Sequence, residues 1–209
     1  MKKNKISVIF LTLGILIILY PFISKILNQN SLNSVVLDYK QQIQKEDKEE
    51  IKKQKQEYDN YNKSLINNYN VDLLESGKLL GYIEINKINV NLPIYEGTDD
   101  KTLLKGIGHL EKTSLPTKNY AYHAIFVGHT GITSKKIFDD LPKLEIGDEF
   151  SVIILNERFN FRIYNIKKVL PNQTKDLKIK DNKKIVTLVT CIPKYVNSHR
   201  LLIMGENCP

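Results

Sequence analysis

Cysteine is scarce in this chain: two residues in 209, Cys191 and Cys208. Two thiols cannot supply the disulfide framework that small secreted domains use in place of a large core. Pairing them would tie the one internal thiol to a residue beside the last, where chains fray. Cys-x-x-Cys and His-x-x-x-His spacings are missing, and so is an acidic cluster of calcium-loop type. Neither a metal nor another cofactor is expected. Acidic residues are outnumbered, 23 against 31 Lys and Arg, for a net charge of +8. The basic residues are scattered and not interleaved with aromatics, so no nucleic-acid partner is expected. A basic protein outside a cell can instead sit on an anionic envelope. No internal repeat is present.

Charge is also missing from one long run. After Met1-Lys2-Lys3-Asn4-Lys5, residues 6–23 are almost wholly apolar, interrupted by Ser7, Thr12, Gly14 and Pro21. Such a run can cross a bilayer as a helix. The lysines ahead of it place the N-terminus in the cytoplasm and the remainder outside. No small-x-small cleavage site precedes Asn28, which favours an uncleaved anchor over a signal peptide. Residues 1–27 are therefore expected to be a transmembrane anchor, and the membrane a partner.

Residues 28–76 change composition to Lys, Glu, Gln and Asn with sparse apolar positions such as Val35, Val36, Tyr39, Ile43, Ile51, Tyr58, Tyr61 and Leu65. That pattern predicts a solvated helix, broken once, acting as a stalk or spacer. Its weak apolar face could still dock on the folded domain. Residues 77–209 form the compact part. Tyr82–Ile85 and Ile88–Leu92 alternate as strands, the second closed by Pro93. A short helix is expected over 99–105 and a helical turn over 134–141. Further strands are expected over 123–129, 149–155, 158–168, 185–190 and 200–204. Seven or eight strands with little helix suggest a closed or nearly closed barrel.

The most informative stretch lies near the end. Ile185–Thr190 is β-branched and apolar and reads as a buried strand delivering Cys191. Pro193 blocks continuation, because it has no N–H for a ladder. A polar turn follows, and Arg200 opens the returning strand. A thiol is thus held beside a permanent cation, though a cysteine after a strand is more often a small buried hydrophobe. A cysteine nucleophile needs a proton donor and acceptor nearby. His129, at a strand end before Thr130-Gly131, is the best placed of four histidines. His109 lies in a Gly106-Ile107-Gly108 turn and reads as structural. His123 begins a strand and could face solvent. His199 points away from the face that Arg200 takes.

Thr187-Leu188-Val189-Thr190-Cys191 resembles the Thr-Leu-x-Thr-Cys signature of the sortases, membrane-anchored cysteine transpeptidases of Gram-positive bacteria. Asn197-Ser198-His199-Arg200-Leu201-Leu202 is similar to the Asn-Thr-His-Arg-Leu-Leu run of class C, the pilus-assembling branch. Gly81–Ile85, Leu92–Thr98, Gly106–Leu110, Thr113–Pro116, Gly128-His129, Phe138–Leu141 and Gly147-Asp148 stand in that branch's order. Several motifs in order are far more specific than any one.

The resemblance implies a sortase-type β-barrel over 77–209, with Cys191 as nucleophile, His129 as general acid/base and Arg200 stabilising substrate and oxyanion. Thr190 is expected to shape the substrate pocket. The implied substrates are pilins or surface proteins with a Leu-Pro-x-Thr-Gly-like sorting signal. The implied acceptor is an amine, a pilin lysine or a peptidoglycan precursor. Water as acceptor would make the enzyme a hydrolase. A non-catalytic, membrane-tethered envelope-binding module, with Cys191 as core, is the remaining alternative. Class C usually carries an Asp-Pro-aromatic lid motif ahead of the barrel. Residues 65–80 hold none, and Asp72 is a poor substitute. The second, C-terminal membrane helix of many class C members is not in the sequence given.

Overall fold

A computed structural model describes residues 2–66, 74–132, 134–173 and 183–208 of the chain. Two helices lead. α1 spans Lys2–Lys45 and α2 spans Lys48–Ile66. The break between them is a cap: Asp47 Oδ1 accepts the Glu49 N–H at 2.7 Å, satisfying a donor that the first turn leaves without a partner. Eight strands follow: β1 (Leu79–Ile85), β2 (Val90–Glu96), β3 (Ile107–His109), β4 (Tyr122–Val127), β5 (Glu149–Ile154), β6 (Glu157–Val169), β7 (Lys184–Ile192) and β8 (His199–Cys208). They close in the order β1-β2-β3-β4-β7-β8-β6-β5. Closure removes both sheet edges. Short helix α3 (Asp100–Lys105) starts on Asp99, whose side chain accepts from the Lys101 and Thr102 N–H groups.

The barrel interior is apolar and aromatic. Tyr122, Phe126, Phe159 and Phe161 pack with Leu80, Ile83, Leu92, Val186 and Leu188 in one core. Phe150 and Phe161 stack at 5.2 Å between ring centres. A second apolar cluster lies on the outer side of the β4–β7–β8 wall: Ile125, Val189, Leu202 and Met204. Both faces of that wall are therefore covered, which is why β7 reads as a continuous apolar run and not as an alternation.

The weak apolar face of the leading helices does dock. Leu32, Val36, Tyr39, Ile51, Tyr58 and Tyr61 are all buried. The Tyr39 hydroxyl donates to Leu80 O and accepts from Leu155 N, both at 2.8 Å. Asn62, fully buried, pairs with the backbone of Leu115 through both its amide atoms. One helix, with a span over Val8–Lys45, is long and apolar enough to cross a membrane. Its exposed large hydrophobics cluster from Val8 to Leu27, with Leu37 alone beyond them.

Four local expectations are corrected. Pro93 does not close its strand: β2 runs through it to Glu96, and Pro93 pairs with Tyr82. Pairing with β3 begins only at Ile94, so a residue without an N–H is tolerated at that margin. Residues 107–109 are a strand and not a turn; Gly108 lies so close to the Gly97 carbonyl that no Cβ would fit. His123 does not face solvent. It is 1% exposed and its Nε2 lies 2.7 Å from Thr187 Oγ1. Finally, 134–141 forms no α-helix; the nearest helical turn is a 3-10 turn at Leu141–Lys143.

Candidate active site

Three strand ends meet on one side of the barrel. In the β7–β8 hairpin Cys191 and Arg200 are direct cross-strand partners. β4 runs parallel to β7 with Val127 opposite Val189. The Gly128 N–H continues that ladder to Val189 O at 3.0 Å. Continuing the register two residues past Val127 puts His129 level with Cys191. Neighbouring strands lie about 4.8 Å apart, so the three residues sit within about 10 Å of backbone. Barrel pairing brings together side chains that are far apart in the chain.

The faces agree as well. Side chains alternate along a strand. Val189 and Leu202 belong to the outer cluster, whereas Leu188, Ile192, Leu201 and Ile203 belong to the barrel core. Cys191 follows the parity of Val189, Arg200 that of Leu202, and His129 that of Val127, which packs on the same outer cluster. All three are half-buried. Cys191 and Cys208 are both free thiols, and Cys208 sits inside β8 opposite Asn160.

Arg200 is partly fixed by its own turn. Its Nη1 donates to the carbonyls of Asn197 at 3.1 Å and His199 at 3.3 Å. Among the described residues no carboxylate neutralises it, so its positive charge is left to act on whatever lies beside Cys191. Thr190 points the other way. It is 1% exposed, and its hydroxyl donates to Gly128 O at 2.7 Å. That bond ties the residue before Cys191 to the residue before His129. His109 is structural, fully buried, with Nδ1 2.6 Å from Glu96 Oε2. His199 hydrogen-bonds its neighbour Ser198.

The loop after His129 is latched to the β7–β8 turn. Lys194 Nζ lies 2.7 Å from Asp139 Oδ1, and the Gly131 N–H donates to the same oxygen at 3.3 Å. That bond with Asp139 holds the Lys194 ammonium above its ordinary pKa. The Asp139 side chain is only 9% exposed, and its other oxygen has no partner among the described residues. Gly131 has φ +80, a conformation that favours glycine, and a Cβ there would crowd the Tyr195 ring and the Lys194 stem. Lys194→Ala leaves a buried carboxylate unpaired. We expect kcat to fall about tenfold with KM little changed, as the His129 loop drifts from its place. Asp139→Asn added to Lys194→Ala should restore part of the loss. Steady-state kinetics of the three variants checks this.

Beside the site runs a groove of about 320 Å³, walled by Leu103, Leu110, Val127, Val189 and Leu202 and opening on Arg200. Val169, Leu170, Pro171 and Gln173, at the end of β6 and just after it, form its far bank, and Thr98 adds a polar group. These groove residues were not singled out from sequence. The available signal was the double-faced apolar character of β4, β7 and β8. A second cavity of about 130 Å³ lies under α2, lined by Tyr58, Asp59, Asn119 and Phe159, and holds no thiol. Asp72 lies outside the described residues.

Comparison with known proteins bears on this arrangement. The sortase domain family model matches residues 83–208. Sortase D of Bacillus subtilis is 33% identical over 135 residues, covering 63% of this chain and 65% of that protein, just under two thirds of its length. Sortase A of Listeria monocytogenes is 25% identical over 210 residues, 99% of this chain and 91% of that one. Among solved structures, Clostridium perfringens sortase C with its C-terminal cell wall sorting motif superposes with a TM-score of 0.79. It is 38% identical and covers 84% of this chain and 98% of that chain. Streptococcus agalactiae sortase C1 in complex with MTSET gives 0.75 at 33% identity, covering 82% and 96%. The matched stretch takes in all eight strands but the first residues of β1, and with them Cys191, His129 and Arg200; this chain belongs to the sortase family.

Proposed function

We propose that the chain is a membrane-anchored cysteine transpeptidase in which Cys191, His129 and Arg200 are the catalytic residues. The carrying observation is their convergence on one outer face of the β4–β7–β8 wall, at the end of an apolar groove. The Cys191 sulfur attacks the threonine carbonyl of a Leu-Pro-x-Thr-Gly-like signal laid in that groove. Its leucine and proline suit the aliphatic walls. Charge builds on the carbonyl oxygen, and the Arg200 guanidinium donates to it. As the C–N bond breaks, His129 gives a proton to the departing glycine amine, leaving a thioester on Cys191. An acceptor amine attacks the thioester. His129 takes its proton, and the Cys191 thiolate is released as the new amide forms, which restores the starting pair. Thr190 acts as a positioning residue, since a substrate on the outer face does not meet its inward hydroxyl.

The class C neighbours support a pilin lysine as acceptor and hence pilus assembly; a peptidoglycan amine, anchoring surface proteins to the wall, is the alternative. The apolar helix α1 supports anchoring in the cell membrane, with the lysine-bearing N-terminus cytoplasmic and the barrel outside. Product masses from a sorting-signal peptide separate the acceptors. With a pilin lysine peptide and a stem-peptide amine supplied together, ligation to the pilin lysine is the expected main product. Ligation to the stem alone would remove the pilus reading, and release of the free acid alone would make the enzyme a hydrolase.

A further inference from the structure

Apart from Leu37, the exposed apolar surface of α1 ends where contact with the barrel begins. Ile26 and Leu27 are exposed, and the next residue, Asn28, donates from Nδ2 to Ser134 O at 2.8 Å. Ser134 lies in the loop between His129 and Phe138, whose ends are closed by the Phe138 N–H on His129 O at 3.0 Å. Three turns further along α1, about 16 Å at the rise of a helix, Tyr39 bonds Leu155 at the β5–β6 hairpin. That hairpin is the opposite end of the barrel. β6 starts there at Glu157 and ends at Val169, which pairs with Arg200. The helix therefore lies against the barrel with its apolar half leaving from the catalytic end. No spacer intervenes.

That end is also dressed for an interface. Tyr195 and Val196, each 68% exposed, cap the β7–β8 turn, and the Tyr195 ring lies close enough to Gly131 of the His129 loop to crowd any Cβ there. Leu104, 46% exposed, sits beside Lys135, whose ammonium bonds its carbonyl. Lys135 lies beside Leu104 and Lys194 beside the Tyr195 ring, while Lys194 and Lys136 pair with Asp139 and Asp140 of the neighbouring loop. Lys25 adds a further positive charge on α1 below Asn28. Tyrosine with aliphatic tips and lysines is the composition that settles at headgroup level in an anionic bilayer.

We infer that the catalytic end of the barrel rests on the membrane, with Tyr195 and Val196 of the β7–β8 turn seated in the interfacial region of an anionic bilayer. The inference rests on α1 being the anchor. Substrate would then enter along the groove parallel to the membrane surface, and Cys191 would work within reach of chains still held in the bilayer.

The chain contains no tryptophan, so single substitutions report cleanly. The full chain is placed in nanodiscs of phosphatidylcholine and phosphatidylglycerol that carry lipid with a bromine or nitroxide quencher near the glycerol. Three variants are compared: Tyr20→Trp in the apolar helix, Tyr195→Trp on the turn, and Asn156→Trp at the far hairpin. We expect Tyr20→Trp and Tyr195→Trp emission each to fall roughly by half in quencher discs, as for rings at headgroup depth, with Asn156→Trp unchanged. Tyr20→Trp quenched with Tyr195→Trp as bright as Asn156→Trp overturns the resting surface and leaves the anchor intact. An unquenched Tyr20→Trp removes the anchor and the surface together. Equal quenching of all three means that the barrel lies down with no preferred end, and this also overturns the inference.

Discussion

Cys191→Ala is expected to abolish both cleavage and ligation of a sorting-signal peptide, with kcat/KM down at least ~10⁴-fold. The fold should not notice. Cys191 is half-buried at the end of β7, and its backbone partner Arg200 is set by the hairpin register. Replacing a half-exposed thiol by a methyl removes little buried surface, so stability should change by under about 1 kcal/mol. The groove walls are untouched, and the variant should still bind the peptide. Cys208→Ala is the matched control. Its thiol sits opposite Asn160, away from the β4–β7–β8 strand ends, and turnover should be unchanged. If Cys208→Ala lost activity and Cys191→Ala kept it, the site would be misplaced on the molecule.

Arg200→Ala should lower kcat by ~10²–10³-fold, the usual cost of removing one aimed oxyanion donor. The reason lies in how the guanidinium is spent. One nitrogen holds the carbonyls of Asn197 and His199, and no described carboxylate cancels the charge. Those two bonds tie the head to its own turn, and the hairpin register sets its residue directly opposite Cys191. Arg200→Lys should recover part of the loss. A lysine keeps the charge but lacks the fork that can grip the turn and the substrate at once. Single-turnover kinetics should put both defects in thioester formation. A mere structural role would show instead as a fall in melting temperature with the single-turnover rate of the folded fraction intact.

Much of this site was legible in the chain because local signals and global pairing agree there. Ile185–Thr190 is apolar and β-branched, Pro193 and a polar turn follow, and a second apolar run returns; antiparallel pairing then has little choice but to set Cys191 against Arg200. His129 was legible as a strand-end histidine next to Thr130-Gly131. Its register with Cys191 was not, because a parallel β4–β7 pairing is a long-range event that no local pattern encodes. The same holds for β3. Three residues with one glycine before them and another at their centre look like a turn until β2 and β4 supply partners. His123 opens a strand and could by position have faced solvent; it is buried because the wall it belongs to is covered on both faces. Docking of α1 rested on a few apolar residues in a charged helix, too sparse to distinguish a stalk from a packed strut.

The most direct test is the intact mass of the protein during turnover of a sorting-signal peptide. We expect a transient adduct equal to the peptide through its threonine, mapped to Cys191, absent in Cys191→Ala and discharged on adding an acceptor amine. Cleavage that proceeds with no adduct at Cys191, or with Cys191 blocked by an alkylating agent, would contradict it.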